Sequence, residues 1–540
     1  MKRKGIIMLI VALCIALFAS AALAVDVATK DELLSALNNG GEINITQDIP
    51  DGGLFQITRD TNINLNGHTV TRNYSGSSTG ATPVFYVTNG KLTLSNGSII
   101  SNNSLGTAEG VRVQTTDTIA NASAELNDIT ITSDSIALSI YGDVSGGALE
   151  DKPTFSVSAT INGKSALFGK EVGAFVIGKQ AALTLNDGEI KSEEFGISGN
   201  GTRNASTHNG GTVVTINGGT VISEQTCAIY QPQAGTITIT GGTVTGYDGI
   251  QMKSGTLNMT GGVLKGTGAF DDDYTYEEGQ HDGSLATGAA LAILSEGAVS
   301  DSGYAGEITI NISGEAVLES INGYAIAEAF SNSSSESKFV GLNISGGSFI
   351  GAHDKNAVAM TNANDSNVTI TGGTFSSELS TCEGLGSLTN LPTMTQDENG
   401  NFVAVTIPAT DLDIDESNLY ELLVGDTLQI SVGQTLQLKA VMQPENANDK
   451  IVWSSSDEAV ATVDQSGLVK AVSVGTVFIS ASITHTDLSI SDEIAFTVVE
   501  ATTSDDVKPQ PSGSGGGGCS AGFGALALLA ALPLLRMRKK

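Results

Sequence analysis

The chain has 540 residues, with 58 acidic against 26 basic side chains and a formal net charge of −32. Seven of the basic residues and none of the acidic ones lie in 1–24 and 519–540, so the stretch between them carries 19 − 58 = −39. That excess excludes nucleic acid as a partner, because affinity there comes from Lys and Arg neutralising phosphates. Aromatic residues make up 5% of the chain, which argues against a large sugar-stacking platform.

Taken in chain order, the first element is a signal peptide over 1–24. Lys2, Arg3 and Lys4 form its basic region, Ile6 to Phe18 its apolar core, and Ala22-Leu23-Ala24 its small-residue cleavage site. Cys14 has no lipobox around it, so cleavage is expected after Ala24 and the protein is read as exported. Thr29-Lys30-Asp31-Glu32 is a capping box, and Leu33, Leu34 and Leu37 follow on one helical face. The spacing predicts a helix over about 29–38, ended by Asn38-Asn39-Gly40-Gly41, and a first strand over Glu42 to Ile49.

A phrase then recurs. It reads VVTINGGTVIS from Val213, TITITGGTVTG from Thr236, TLNMTGGVLKG from Thr256, GLNISGGSFIG from Gly341 and NVTITGGTFSS from Asn367. Weaker copies start at Asn62, Lys91, Ala124, Ala182 and Glu307. Each is an alternating strand, a glycine turn and a second short strand, with Ile, Leu, Val or Met on one face and Thr, Asn or Ser on the other. A period of roughly 20–30 residues marks a solenoid, in which each turn buries its apolar face only against the next. This predicts an all-β chain dominated by a parallel β-helix over 25–405, with ~14 rungs and a rod of roughly 60–70 Å. Insertions are expected near 104–120 and 268–300. The opening ATKDELLSALNNGGEINITQDI and the Gly-Gly turns resemble pectin-lyase-like right-handed parallel β-helix proteins. That resemblance implies a fold that hosts polysaccharide lyases and hydrolases.

The residues do not supply that chemistry in a legible form. Between 25 and 518 the arginines are Arg59, Arg72, Arg112 and Arg203, and none sits in a phrase resembling a lyase motif. The hydrolases' Asn-Thr-Asp, Gly-Asp-Asp, Gly-His-Gly and Arg-Ile-Lys phrases are missing. The densest acidic run, Asp271, Asp272, Asp273, Glu277, Glu278 and Asp282, is the candidate calcium site, weighed against a solvated loop. No other cofactor is expected. Cys227 and Cys382 lie too many rungs apart to bridge and read as free, buried thiols.

Near 405 the texture changes. Residues 409–500 show evenly spaced short strands and turns, the pattern of a β-sandwich. The stretch MQPENANDKIVWSSSDEAVATVDQSGLVKAVSVGTVFISA from Met442 to Ala481 resembles bacterial immunoglobulin-like domains of group 2, which implies a stalk or spacer module. Trp453, the only tryptophan, is read as sandwich core, and Gly467 and Gly475 as turn residues. Residues 501–518 are a Pro/Ser/Gly linker. The apolar segment from Cys519 to Leu535 is at the lower limit of length for spanning a bilayer, and Arg536-Met537-Arg538-Lys539-Lys540 closes it. This tail resembles the Synergist-CTERM class of C-terminal sorting signals. The resemblance implies processing near Gly518-Cys519, with Cys519 as an anchor or lipid attachment site.

The resulting expectation is an adhesin-like, surface-binding protein of a Gram-negative-type bacterium, anchored at the cell surface or outer membrane through its tail. Its partner would be an extracellular glycan or protein, and it would not be an enzyme. The rivals are a carbohydrate-active enzyme on the β-helix face and a structural surface protein without ligand. Three or more clustered carboxylates with an Arg or Lys would favour the enzyme, and stacked aromatics would favour glycan binding.

Overall fold

In a computed structural model, the described residues are 24–500 except 75–81, 104–106, 116–119, 145–153, 202–209, 270–286, 296–305, 331–337, 406, 418, 420–421, 426, 445–446, 448, 450 and 485–488. The expected signal peptide, the linker, the tail with Gly518 and Cys519, and Asp271, Asp272, Asp273, Glu277, Glu278 and Asp282 therefore lie outside them. Ala24 is exposed, one residue before the first strand.

Strand formation begins earlier than the periodicity suggested. Val25–Val27 pairs in parallel with Ile43–Ile45, and the helix Lys30–Leu37 is looped out between them. Its capping box is complete: the Glu32 amide donates to Thr29 Oγ1 at 3.3 Å, and Glu32 Oε2 accepts from the Ala28 and Thr29 amides at 2.8 and 3.1 Å. Leu33, Ala36 and Leu37 are buried and join the core, so the helix closes the open end of the first rung.

Beyond it the chain coils into a parallel β-helix with three faces. One long sheet of 22 strands forms two of them, because strands such as Gly90–Asn103 and Ala122–Ser133 run unbroken around the corner between the first and second face. A separate sheet of 11 strands, from Phe55–Ile57 to Val358–Ala359, forms the third. Among the described residues the first face stacks 13 strands and the third face 11, so eleven rungs carry all three faces, against the ~14 expected from the period. The reason is uneven rung length. Ile239 pairs with Met259 and Met259 with Ile312, so the second of these turns uses more than twice the chain of the first.

The inward register follows the alternation in the phrase. Ile237 stacks on Leu257, Ile239 on Met259 and Val244 on Leu264, all fully buried. At the corner that follows the first face, asparagines form a ladder. Asn162 donates to Asn127, Asn186 to Asn162 and Asn217 to Asn186 at 2.8–2.9 Å, and Thr240 donates to Asn217 at 3.0 Å. A second run links Asn258, Asn311 and Asn343 at 2.8 Å. These amides satisfy one another from rung to rung. The Thr/Asn side of the phrase is therefore structural at many of its positions.

A second recurrent device lies between the second and third faces. Ser133, Ser192, Ser223 and Ser320 each turn a hydroxyl onto a carbonyl of the neighbouring turn (Ala108, Lys170, Glu194 and Gly288). A small residue also recurs near the start of the third-face strands. Gly110, Gly173 and Gly196 sit where a Cβ would lie 2.3–2.7 Å from Ile131, Ile190 and Val221 of the core. The far end closes with a change of direction: Phe402–Val405 pairs antiparallel with the end of Val368–Phe375, and Thr393–Gln396 pairs antiparallel with Phe402–Val405. An antiparallel pair cannot template another parallel rung, so it ends the stack.

From Leu412 to Val498 a second core forms between small sheets. Trp453 is buried there, and Gln465 brackets its backbone, accepting from the Trp453 amide at 3.2 Å and donating to its carbonyl at 2.9 Å. Gly467 is at φ +83, as a turn requires, with its Cβ position 3.1 Å from the indole. Gly475, also expected in a turn, instead opens the strand Gly475–Thr484.

Candidate binding face

Loop lengths single out one face. The corner between the first and second faces is constant: three residues at 163–165, 186–188, 217–219, 240–242 and 260–262, four at 65–68 and 313–316. Within the stack, the long connections (75–81, 142–156, 199–211, 270–290, 296–306 and 331–337) instead enter or leave the third sheet. In solenoids, insertions that border a single face commonly mark the binding face.

The outer side of that sheet carries a stripe assembled from successive rungs. Tyr86 pairs with Arg112, Arg112 with Ser139 and Ser139 with Phe175; in the next outward column Gln114 pairs with Tyr141. Their inward neighbours Val87, Val113, Ile140 and Val176 are core residues, so strand alternation obliges these side chains to face out. Tyr86, Arg112, Gln114, Tyr141 and Phe175 are all half-buried. The Arg112 guanidinium lies 4.6 Å from the Tyr141 ring centroid, and the Tyr141 and Phe175 rings are 5.7 Å apart. Tyr86 Oη reaches Gln114 Oε1 at 3.4 Å.

A carboxylate anchors the stripe from below. Glu109 is fully buried and accepts from Arg112 Nε at 2.7 Å, Arg112 Nη2 at 2.6 Å and Ser139 Oγ at 2.9 Å. Burial works against the Arg112 cation, but the Glu109 hydrogen bonds and charge outweigh it and hold the guanidinium protonated. Burial likewise pushes the Tyr86 and Tyr141 phenols up, so both remain neutral hydrogen-bonding groups. The pair thus locks a planar cation against the Tyr141 ring without leaving a free charge.

Farther along the same sheet the outer face is sealed. Tyr230, Gln251 and Lys253 are buried, with Lys253 Nζ 5.9 Å from the Tyr230 ring centroid. Asp248 accepts from the Thr287 amide at 3.1 Å, from Thr287 Oγ1 at 2.8 Å and from Gln251 Nε2. Burial raises its pKa from 3.8 to about 6. A raised carboxylate pKa means that the ionised form works against the fold at neutral pH. Stability from this group grows as pH falls through 6 and is fully present below 3.8, a swing of about 3 kcal/mol. Asp248→Asn should therefore melt higher than the parent at pH 7, and the gap should close below about pH 4. A constant gap in melting temperature across that range would show that Asp248 does not titrate there.

Among the described residues no three His, Cys, Asp or Glu side chains come together. Cys227 and Cys382 are buried and form no disulfide, and burial pushes the Cys382 thiol up. A shallow depression of about 310 Å³ over Gly314–Val317, Gly346–Ser348, Gly373–Thr374 and Val403 has Glu315 as its one ionisable lining residue. Among the described residues no helix is long and apolar enough to cross a membrane.

Residues 424–487 match the bacterial Ig-like domain (group 2). The core around Trp453 belongs to that module. Three curated relatives share a segment of similar size. A 3-O-alpha-D-galactosyl-alpha-L-arabinofuranosidase of Bifidobacterium longum subsp. longum is 44% identical over 88 residues, 16% of this chain and 7% of its own. A lacto-N-biosidase of Bifidobacterium bifidum is 35% identical over 91 residues, 17% of this chain and 8% of its own. An A type blood N-acetyl-alpha-D-galactosamine deacetylase of Flavonifractor plautii is 35% identical over 80 residues, 15% of this chain and 10% of its own. The chain therefore spans at most a tenth of the length of these three relatives. The matched lengths are those of a single domain.

The sequence reading missed Tyr86, Glu109, Tyr141 and Phe175, and named Arg112 only to note that it lies outside any lyase phrase. No local signal marks them, because their neighbours in sequence are ordinary strand residues. The modest aromatic content is concentrated by the register of the rungs.

Proposed function

We propose that this protein is an exported, surface-anchored binding protein that presents the third face of its β-helix to an extracellular glycan. The observation that carries the reading is the stripe of Tyr86, Tyr141 and Phe175 around the Glu109–Arg112 pair, on the one face that the long connections border on both sides. Half-buried aromatic faces take the apolar side of a sugar ring, and nearby amide and hydroxyl groups take its edge. The Ig-like module serves as spacer, and the tail beyond the linker as the anchor of a cell surface or outer membrane. That three relatives sharing a domain-sized segment are named for action on carbohydrates agrees with a glycan context. Those names also favour a second reading, a carbohydrate-active enzyme on the same face.

A glycan array probed with the full chain, with and without calcium, tests both. We expect binding without calcium and without release of reducing ends or deacetylation. Tyr141→Ala should weaken binding about tenfold. Phe168→Ala, a half-buried ring on the second face, should leave binding unchanged. Turnover of any bound glycan would move the reading to the enzyme, and an array without hits would remove the glycan.

A further inference from the structure

We infer that the ligand of the third face is an uncharged glycan lying along the rod axis, and that uronic acid polymers are excluded. This rests on the glycan reading above and adds the class of ligand. The first support is the charge state of the stripe. Arg112 is its one cation, and Glu109 occupies both Nε and Nη2 of the guanidinium in a two-point pair. A carboxylate on a sugar ring would arrive at a stripe whose net charge is already zero, with no further Lys or Arg among its half-buried members.

The second support is the charge of the borders. Asp134 and Glu171 are exposed where the chain enters the third sheet, on the rungs of Tyr141 and Phe175. Asp143 lies where it leaves, and its ion-pair partner Lys179 is buried at 3.2 Å. Lys170 is exposed beside Glu171, and half-buried Arg72 donates to the Pro83 carbonyl at the same edge, so the entry border carries no net positive charge and the exit border is neutralised. The body as a whole carries 19 − 58 = −39. A polyanion would be repelled at a distance and would find no free cation among the described residues of the stripe.

The third support is geometry. Tyr86, Arg112, Ser139 and Phe175 occupy four consecutive rungs in one register. At about 4.8 Å per rung the stripe extends ~14 Å along the axis. It is therefore built for several consecutive rings of a chain rather than for one terminal sugar. Specificity would come from ring faces and from Gln114 and the two phenols, none of which requires a charged ligand.

The test is binding of the full chain to immobilised polysaccharides: a β-glucan, a mannan and a galactan as neutral probes, polygalacturonate and alginate as acidic ones. Each is run at low and high salt, with and without calcium. The expected result is retention on at least one neutral polymer, changing less than twofold with salt, and none on the uronates. Phe175→Ala should lower that retention about tenfold, and Tyr141→Phe, which keeps the ring, should preserve most of it. Tighter binding to a uronate than to any neutral polymer, or uronate binding that appears only with calcium, overturns the ligand class while leaving the glycan reading in place. Retention on no polysaccharide overturns both. Neutral binding untouched by Phe175→Ala, with Tyr141→Phe equally silent, overturns the placement on this stripe.

Discussion

Replacing Ile239 with alanine should loosen the middle of the β-helix by about 2–5 kcal/mol. Ile239 is fully buried, with Ile216 on the rung before it and Met259 on the rung after it. Truncation removes the transfer energy of its methyl and methylene groups and leaves a cavity that two hydrogen-bonded rungs cannot close. Because each rung contacts only its neighbours, the effect should be local and the rod need not melt in one step. Hydrogen exchange over residues 230–265 is therefore the readout, with Ile239→Val as the milder control. Converting Asp271, Asp272 and Asp273 together to Asn should affect these amides far less. If the triple variant loosens the rungs more, the acidic run has a structural role and calcium becomes its best explanation.

Removing Arg112 should be comparably damaging, for an electrostatic reason. Glu109 is fully buried, and in Arg112→Met it would keep only the Ser139 hydroxyl at 2.9 Å. A buried carboxylate stripped of its partner typically loses about 3–5 kcal/mol. Replacing both members, as Glu109→Leu with Arg112→Met, should recover much of that loss, since an apolar pair of similar volume avoids desolvating two charges. The double-mutant cycle separates the energy of the pair from the penalty of an orphaned charge. A loss below about 1 kcal/mol for Arg112→Met alone would mean that solvent reaches Glu109 once the arginine is gone. The double variant has a second use: it should retain the fold yet lose the cation beneath Tyr141, so stability and glycan binding can be read apart.

The two stability effects have different sources, and they map onto what the face must do. Ile239 belongs to the packing that makes the rod stiff. Glu109 and Arg112 belong to a polar support that fixes the tilt of aromatic rings on its surface. Stiffness matters to a stripe spread over four rungs, because a ligand spanning them gains affinity only if the rungs hold their register without further ordering. The asparagine ladder at Asn127, Asn162, Asn186 and Asn217 serves the same end on the far side of the rod.

Much of the architecture was legible because it is written locally. The capping box at Thr29 and Glu32, the positive-φ glycines at Gly219, Gly242 and Gly262, and the inward alternation of Ile237, Ile239 and Val244 each depend on residues a few positions apart. The Ig-like segment was legible for the same reason, with Trp453 buried as its strand context implied. The rung count was not, because turns of very unequal chain length stack as single rungs: Ile239 pairs with Met259, and Met259 with Ile312. Nor was the binding stripe. Tyr86, Arg112, Tyr141 and Phe175 are separated by unequal stretches of chain that match no fixed period. Only hydrogen-bonded register between rungs brings them to one side of one sheet. The sequence by itself determined a glycine-cornered parallel solenoid with a β-sandwich after it, since turn chemistry and alternation act within a rung. Which side of the solenoid faces a ligand, and which scattered residues meet there, was decided by the stacking of rungs of unequal length, a property that no single rung contains.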